Sequence, residues 1–360
     1  MATASADEKR LAALRAFDET KTGVKGLVAA GATAVPFFFR LPSPPPLPPP
    51  PPPHLSIPTV DLSLPRPLAV QSLLSAARHW GFFQLVNHSV PLPLIRRTLA
   101  AVRSFYSLPA ADRARHYSRS TSSSVIYNSN LDLFRSAAAS WRDTLTVKAP
   151  ADVEKIPAEC REQVMEWDAE ATAVARLVMG MLGEGLGIGE RRLEEMSCLQ
   201  GRTMVCHCYP PCPEPELTMG VMDHTDPSIL TILLRDETEG LQVKMEEGDD
   251  QSWWVDLNPL SDAIIVNVGD LLQIISNDEL KSASHRVVAN AGKEDGISIA
   301  VFFKPALNGE SDFYGPLPEL LSPEKPPRFR RFTLPEFMGT FFSAELKSRS
   351  LADHFRRQPE

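Results

Sequence analysis

The run Met219-Gly-Val-Met-Asp-His-Thr-Asp-Pro-Ser-Ile-Leu-Thr-Ile-Leu-Leu-Arg235 decides fold class and chemistry together. His224-Thr-Asp226 leads into Ile229–Leu234, an apolar stretch that reads as a strand behind turn residues. Residues i and i+2 of an extended chain project to one face, so the His224 imidazole and the Asp226 carboxylate can point together. A second imidazole, His285, follows after 58 intervening residues and opens another extended run, His285–Ala289, behind the polar turn Ser276-Asn-Asp278. Two imidazoles and one carboxylate make a facial triad that leaves three coordination positions open on a non-haem Fe(II). His224 and His285 both lie at strand mouths, where sites form. His79, His88 and His116 read as surface or hydrogen-bonded core residues.

Outward from that run, short stretches separated by turn residues continue: Met204–Tyr209, Leu241–Met245, Trp253–Leu257, Ala263–Val268 and Ile297–Phe303. Such spacing predicts an antiparallel sandwich or barrel. Before residue 203 the pattern is mixed. Ile57–Leu62 and Gly81–Asn87 read as strands, whereas Val70, Leu73, Leu74, Ala77 and Trp80 fall three and four apart, as one helix face does. Val164, Trp167, Val174, Leu177, Val178, Met181 and Leu182 predict the stripe of a long helix over 161–187. Its end, Gly183-Glu-Gly-Leu-Gly-Ile-Gly189, breaks the GxGxxG register and follows a helix where a dinucleotide loop needs a strand, so a helix C-cap is expected. Leu334–Ser348 returns to helical spacing and is expected to cover a sheet edge. The fold class is therefore α+β. Four stretches are expected: an N-terminal segment (1–54), a mixed helix and strand domain (55–200), the sheet domain (201–306) and a C-terminal helical extension (307–360). Ten of the 33 prolines lie in Pro42–Pro53, which reads as a polyproline II spacer within the first stretch.

Composition narrows the function. With 43% apolar and 23% charged residues among 360, the chain can bury a full core, which excludes a disordered or fibrous protein. The longest weakly polar stretch, Leu27–Phe39, is 13 residues and is closed by Arg40, short of the roughly 18 that a membrane span needs. Asp7, Glu8, Lys9 and Arg10 precede any apolar run, unlike a secretory or transit signal, so a cytoplasmic location is expected. A net charge of -8 without a basic, aromatic-interleaved cluster argues against nucleic acid and membrane partners. Cysteines at 160, 198, 206, 208 and 212 fit packing roles in a reducing compartment. A zinc site at Cys206-His-Cys208 with Cys212 has the wrong spacing, and alternation turns both thiols away from His207. A serine hydrolase needs a GxSxG elbow, and Ser298 lies inside a strand instead. Alternation also groups His207 with Tyr209, and Gly296 with Ser298, so those hydroxyls could serve an anionic ligand.

Taken together, Trp80-Gly-Phe-Phe-Gln-Leu-Val-Asn-His88, Tyr209-Pro-Pro-Cys-Pro213, Met219-Gly220, His224-Thr-Asp226, Gly240-Leu-Gln-Val243, Asn267-Val-Gly-Asp270 and Ser276-Asn277 leading to His285-Arg-Val287 resemble the plant 2-oxoglutarate- and Fe(II)-dependent dioxygenases. The likeness runs from about Phe17 to Phe342. Phe17-Asp-Glu-Thr-Lys-Thr-Gly-Val-Lys-Gly26, Tyr127-Asn-Ser-Asn-Leu-Asp-Leu-Phe134 and Trp141-Arg-Asp143 resemble the branch of 1-aminocyclopropane-1-carboxylate oxidase homologues, itself similar to enzymes hydroxylating benzoxazinoid glucosides, glucosinolate side chains and certain herbicides. The resemblance implies a double-stranded β-helix, or jelly-roll, core with flanking helices. It implies Fe(II) on His224, Asp226 and His285, 2-oxoglutarate bonded through its distal carboxylate to Tyr209 and Ser298, and ascorbate as a candidate auxiliary. The implied enzyme is a monomer that converts 2-oxoglutarate and O2 to succinate and CO2 while hydroxylating a small specialised metabolite or xenobiotic, in a cavity walled by Phe303 and by the N-terminal helices.

Three marks depart from the family: Ser89 stands where a glycine is usual after Asn87-His88, Phe37 to Phe39 occupy a segment that usually carries a basic residue, and the last core strand lacks its arginine. Where its members carry Arg-x-Ser near the start of the last core strand, this chain reads Gly296-Ile-Ser298. Losing a buried guanidinium–carboxylate contact costs about 2–5 kcal/mol, or a factor of roughly 30 to several thousand in affinity. Arg235, at the end of Ile229–Leu234, is the leading substitute anchor, and Lys293 is a second. A degenerate dioxygenase fold and a 2-oxoglutarate-independent oxidase stay open as alternatives.

Overall fold

Gly296–Lys304 shows how one strand serves both a cavity and a core. Ser298, Ala300 and Phe302 line a cavity, while Ile299, Val301 and Phe303 are buried in the main hydrophobic cluster, because successive side chains of a strand alternate faces. The expectation that Phe303 walls the cavity is thereby corrected by one residue: Phe302 does so, and Phe303 belongs to the core.

The structure, a computed structural model, describes residues 6–43, 50–131, 133–247, 251–258, 260–306, 313–342 and 350–357. Residues 44–49 of the proline run and the end of the C-terminal helical stretch lie outside these residues. In chain order the strands are β1 (Thr59–Asp61), β2 (Phe82–Val86), β3 (Val125–Asn128), β4 (Asp143–Ala149), β5 (Gly201–Tyr209), β6 (Met219–His224), β7 (Leu230–Arg235), β8 (Leu241–Glu247), β9 (Gln251–Asp256), β10 (Ile264–Val268), β11 (His285–Val288), β12 (Gly296–Lys304), β13 (Phe313–Tyr314) and β14 (Phe332–Thr333). The helices are α1 (Ala6–Glu19), α2 (Gly23–Ala29), α3 (Arg66–His79), α4 (Leu92–Ser107), α5 (Ala110–Ala114), α6 (Arg161–Gly185), α7 (Arg192–Glu195), α8 (Asp270–Ile275) and α9 (Leu334–Phe342).

A larger sheet runs β1-β2-β10-β7-β12-β5-β4-β3, a smaller one β6-β11-β8-β9, and β13 pairs with β14. The expected strands all form, while β3, β4, β6, β13 and β14 are additional. The strands β1 to β4 come from before residue 200 and complete the larger sheet, so the stretches 55–200 and 201–306 share it. Its outer face packs Phe83, Cys206, Ile232, Ile299 and Phe303 with Leu73 and Ala77 of α3, Val102 and Phe105 of α4, and Trp167 and Val178 of α6. Fully burying an aliphatic or aromatic side chain contributes about 1.5–3 kcal/mol, so this layer carries much of the stability. Leu177, placed on the buried stripe by its spacing, is exposed.

The inner face of the larger sheet meets the smaller sheet through Ile57, Phe82, Ile265, Leu241, Val243 and Val255. An N-terminal layer packs Leu14, Phe17, Phe38 and Phe39 on Trp141, and the Asp143 carboxylate accepts the Val24 and Lys25 N–H groups that open α2, at 2.8 and 2.9 Å. Phe337 of α9 stacks with Phe332 and Phe355, closing an aromatic cluster where cover of a sheet edge was expected.

The glycines after α6 do cap it. Ile188 donates its N–H to the Gly183 carbonyl and Gly187 donates to that of Glu184, each at 3.0 Å, with Gly187 at φ +74°. This double-bonded helix end requires a left-handed residue, which glycine adopts without cost. A Cβ on Gly187 would touch nothing within 4 Å. Gly187→Ala should therefore lower the unfolding free energy by about 1 kcal/mol through backbone strain alone, read from urea denaturation; an unchanged midpoint would show that the cap is dispensable.

Candidate metal centre

The two sheets converge on one cavity. It is lined by Phe82, His207, Tyr209, Thr231, Arg235, Asn267 and Ser298 from the larger sheet and by Val221, His224, Leu241, His285 and Val287 from the smaller. No residue of the N-terminal helices lines it, contrary to expectation; Phe82 of β2 takes that place. His224 ends β6 and His285 opens β11, and the two are paired directly across the strands. Asp226 follows in the loop before β7. One ligand atom from each of the three residues lies within 4.8 Å of the others, the sole such group among the described residues. The Oδ1 atom of Asp226 is 3.5 Å from Nε2 of His224 and 3.7 Å from Nε2 of His285.

The remaining atoms of these side chains are committed elsewhere. Nδ1 of His224 lies 2.9 Å from the Met222 carbonyl and Nδ1 of His285 lies 3.2 Å from that of Ala283, so both rings turn Nε2 to the common point. The Oδ2 atom of Asp226 accepts hydrogen bonds from Oγ1 of Thr231 at 2.6 Å and Nδ2 of Asn267 at 2.8 Å, leaving Oδ1 free. Burial by itself would push the Asp226 carboxyl up, but the charges of His285 and His224 and the hydrogen bonds from His224 and Thr231 outweigh it and hold the group well below the usual carboxylate range. Burial, with the His224 charge, lowers His285 to about 4, so its imidazole is neutral near pH 7 and offers a lone pair. Burial would lower His224, but the hydrogen bond and charge of Asp226 outweigh it and raise that imidazole, so a bound metal takes the place of its proton. Two imidazoles and an ionised carboxylate, each oriented by its second hydrogen bond, fit a divalent iron.

At the other end of the cavity, Tyr209 and Ser298 stand with Oη and Oγ 3.3 Å apart. Arg235 lies directly opposite Ser298 across β7 and β12. Its Nη1 donates to the Leu257 carbonyl at 3.2 Å, and among the described residues it forms no ion pair. Lys293, the other candidate anchor, is exposed and is not among the residues that line this cavity. A Cβ on Gly296 would sit 2.8–3.0 Å from the side chain of Thr238, so an arginine there needs space that Thr238 now fills.

Three contributors escaped the sequence reading. Thr231 carries no motif, Asn267 sits in the quoted Asn-Val-Gly-Asp segment without an evident role, and His207 was grouped with Tyr209 only by alternation. His207 meets Oγ1 of Thr144 through Nδ1 at 2.9 Å, and burial, then the charges of Arg142 and His224, hold it well below the usual imidazole range. The cysteine alternative fails: Cys206 and Cys208 are fully buried in the core, where burial pushes both thiols up.

Comparison with known proteins agrees with this geometry. The chain matches the family model of the 2OG-Fe(II) oxygenase superfamily over residues 200–305 and that of the non-haem dioxygenase in morphine synthesis N-terminal over 57–169. It is 43% identical over 336 residues to 1-aminocyclopropane-1-carboxylate oxidase homolog 1 of Arabidopsis thaliana, covering 90% of each chain. With homolog 4 of the same plant it shares 42% over 353 residues, 95% of this chain and 97% of the relative. The solved structure of JOX2 in complex with 2OG, Fe and JA superposes with a TM-score of 0.80 at 29% identity, over 93% of this chain and 98% of that one. The rice dioxygenase for auxin oxidation shares the fold with a TM-score of 0.67 at 24% identity, over 84% and 100%. The chain therefore belongs to the 2OG-Fe(II) oxygenase superfamily. It is a dioxygenase on a jelly-roll fold, an enzyme of the class that uses Fe(II) and 2-oxoglutarate. No helix among the described residues is long and apolar enough to cross a membrane.

Asp270 supports the centre from behind. Its Oδ2 accepts from Oγ1 of Thr225, between His224 and Asp226, at 2.8 Å, and its N–H donates to the Asp226 carbonyl at 2.7 Å. Burial raises its carboxyl from 3.8 to about 7, against the Thr225 hydrogen bond. The folded, metal-free protein thus holds this proton more tightly than the unfolded chain, and stability falls as pH rises from about 4 through about 7. Asp143, raised by burial to about 6, acts in the same direction. Asp270→Asn keeps an acceptor for Thr225 and removes the first contribution. From pH 5 to pH 8, urea unfolding of metal-free protein should shift by about 2 kcal/mol in favour of the variant, one pKa unit being worth about 1.4 kcal/mol; parallel pH curves would contradict the assignment.

Proposed function

We propose that His224, Asp226 and His285 hold the Fe(II), that Arg235, Tyr209 and Ser298 bind the distal carboxylate of 2-oxoglutarate, and that the enzyme hydroxylates a small specialised metabolite or xenobiotic in the same cavity. The observation that carries this reading is the pairing, within one cavity, of three converging ligand atoms with a guanidinium that no carboxylate neutralises.

Bound there, Fe(II) with 2-oxoglutarate and O2 supplies the oxidising chemistry. The chain's own residues bind, orient and shield. Asp226 stays ionised at any working pH, and its Oδ2 bonds stop the carboxylate from rotating. Arg235 brings the cation that Gly296 lacks, from the neighbouring strand, and Tyr209 and Ser298 add hydroxyl donors beside it. Val221, Leu233, Leu241, Val287, Ala300 and Phe302 give the cavity apolar walls, which hold a carbon skeleton by contact and keep water away. A full donor set and a replacement cation argue against a degenerate fold.

Anaerobic titration of 2-oxoglutarate into Fe(II)-loaded protein, followed by the metal-to-ligand charge-transfer absorbance, tests each part. Arg235→Ala should weaken 2-oxoglutarate binding by a factor of roughly 30 or more, and unchanged affinity would remove Arg235 as the anchor. Asp226→Ala should lose iron and the band together; a band in that variant would remove the triad. Because Thr238 occupies the needed space, Gly296→Arg should tighten binding only when Thr238→Gly accompanies it.

A further inference from the structure

The segment Trp141-Arg-Asp143 is singled out by the sequence, yet the function above leaves its middle residue unused. Trp141 packs on Phe39 and Asp143 caps α2. Arg142 does neither. Its Nη1 donates to the Gly220 carbonyl of β6 at 3.0 Å, so the side chain reaches from the residue just before β4, a strand of the larger sheet, to the edge strand of the smaller. Its Nε is buried without a partner, and among the described residues it forms no ion pair. Thr144 stands opposite His207, and Arg142, two residues earlier, falls on the same face of the sheet as His207 and Tyr209.

A half-buried guanidinium with an orphaned N–H is costly unless an anion completes it. The described residues offer none. On the reading proposed above, one carboxylate of 2-oxoglutarate goes to the metal and the other to Arg235, so neither reaches Arg142. We infer that Arg142 receives the acidic group of the substrate, and that the substrate is a small organic acid whose carbon skeleton lies along the apolar walls. His207 suits this arrangement. It stays neutral, so it does not compete for the anion, and with Nδ1 committed to Thr144 its Nε2 is left for the substrate. Arg142 is a specificity residue for the reaction, separate from the co-substrate anchor Arg235.

The inference rests on the iron and 2-oxoglutarate reading, and one titration separates the two. Protein loaded anaerobically with Fe(II) and 2-oxoglutarate is titrated with acids and their primary amides on matched skeletons: phenylacetate and phenylacetamide, indole-3-acetate and indole-3-acetamide, octanoate and octanamide. Perturbation of the charge-transfer band reports binding. Acids should bind about tenfold or more tighter than amides. Arg142→Gln should level the two while its band shows an intact iron site, and Arg142→Lys should retain part of the preference. If Arg142→Gln loses the band, the lysine variant carries the test through a preference reduced several-fold. Equal binding of acid and amide, binding by no acid of the panel, a preference that survives in Arg142→Gln, or acids that bleach the band by displacing 2-oxoglutarate would each overturn the inference. Absence of the band in the parent would overturn the iron and 2-oxoglutarate reading first, and this one with it.

Discussion

The site depends on one buried carboxylate. Asp226 is 2% exposed, and an isolated charge there would take up a proton rather than stay ionised. It remains charged because Thr231 and Asn267 bond one oxygen while two imidazoles face the other. Each of these groups arrives on a different strand, so the carboxylate fixes strand register. Asn267 of β10 is paired with Thr231 of β7, which sets the two donors side by side. His285 of β11 is paired with His224 of β6. A slip of one residue in either pairing would turn a donor or a ligand to the opposite face. The helices α3, α4 and α6, packed on the outer face of the larger sheet, hold that register from behind.

The same logic governs the cation at the far end. What a bound anion requires is a positive charge at one point in space, and β12 and β7 are neighbours there. Ser298 faces Arg235 across the ladder, so an arginine on β7 can serve the end of the cavity that an arginine at position 296 would otherwise serve. Burial lowers the Arg235 pKa, but a guanidinium remains charged at any pH at which the protein is folded. Thr238 fills the space beside Gly296. The start of β12 is tied down through Asp236, whose carboxylate accepts from the Ile297 N–H and from Arg103. On the proposed reading, the departure at residue 296 is a relocation of charge, with local packing adjusted to it.

The sequence made legible what rests on period and motif. His224, Asp226 and His285 could be named because a period of two puts HxD on one face, and α6 and its glycine cap could be placed because a stripe at three and four residues ends in glycines. What escaped depends on partners distant in sequence. Thr231 matters only because β10 brings Asn267 beside it, and β6 carries too few apolar residues to announce a strand, being held by pairing with β11 alone. Phe302 and Phe303 are chemically identical neighbours, and only the phase of β12 decides which one faces the cavity. Gly296 was visible as a gap, but Thr238 and Arg235 around it emerge from the pairing of β7 with β12.

Charge counting across the cavity joins these observations. On the proposed reading, Asp226 would set one negative charge against the two positive charges of Fe(II), and 2-oxoglutarate would bring two negative ones against the single positive charge of Arg235. Those four balance. Asp236 is neutralised by Arg103, and Glu239 is exposed and solvated. Arg142 remains over, half-buried, bonded to the Gly220 carbonyl but with no carboxylate partner among the described residues. Beside His207 and Tyr209, which line the cavity, a surplus charge of this kind favours ligands of opposite sign and penalises neutral or cationic ones. An acidic substrate would complete the balance at the point where the larger sheet meets the edge of the smaller, and its neutral analogue would leave the guanidinium desolvated and unpaired. Selection among small molecules then turns on one residue of the N-terminal half, and the oxidising chemistry on the residues of β6, β7 and β11.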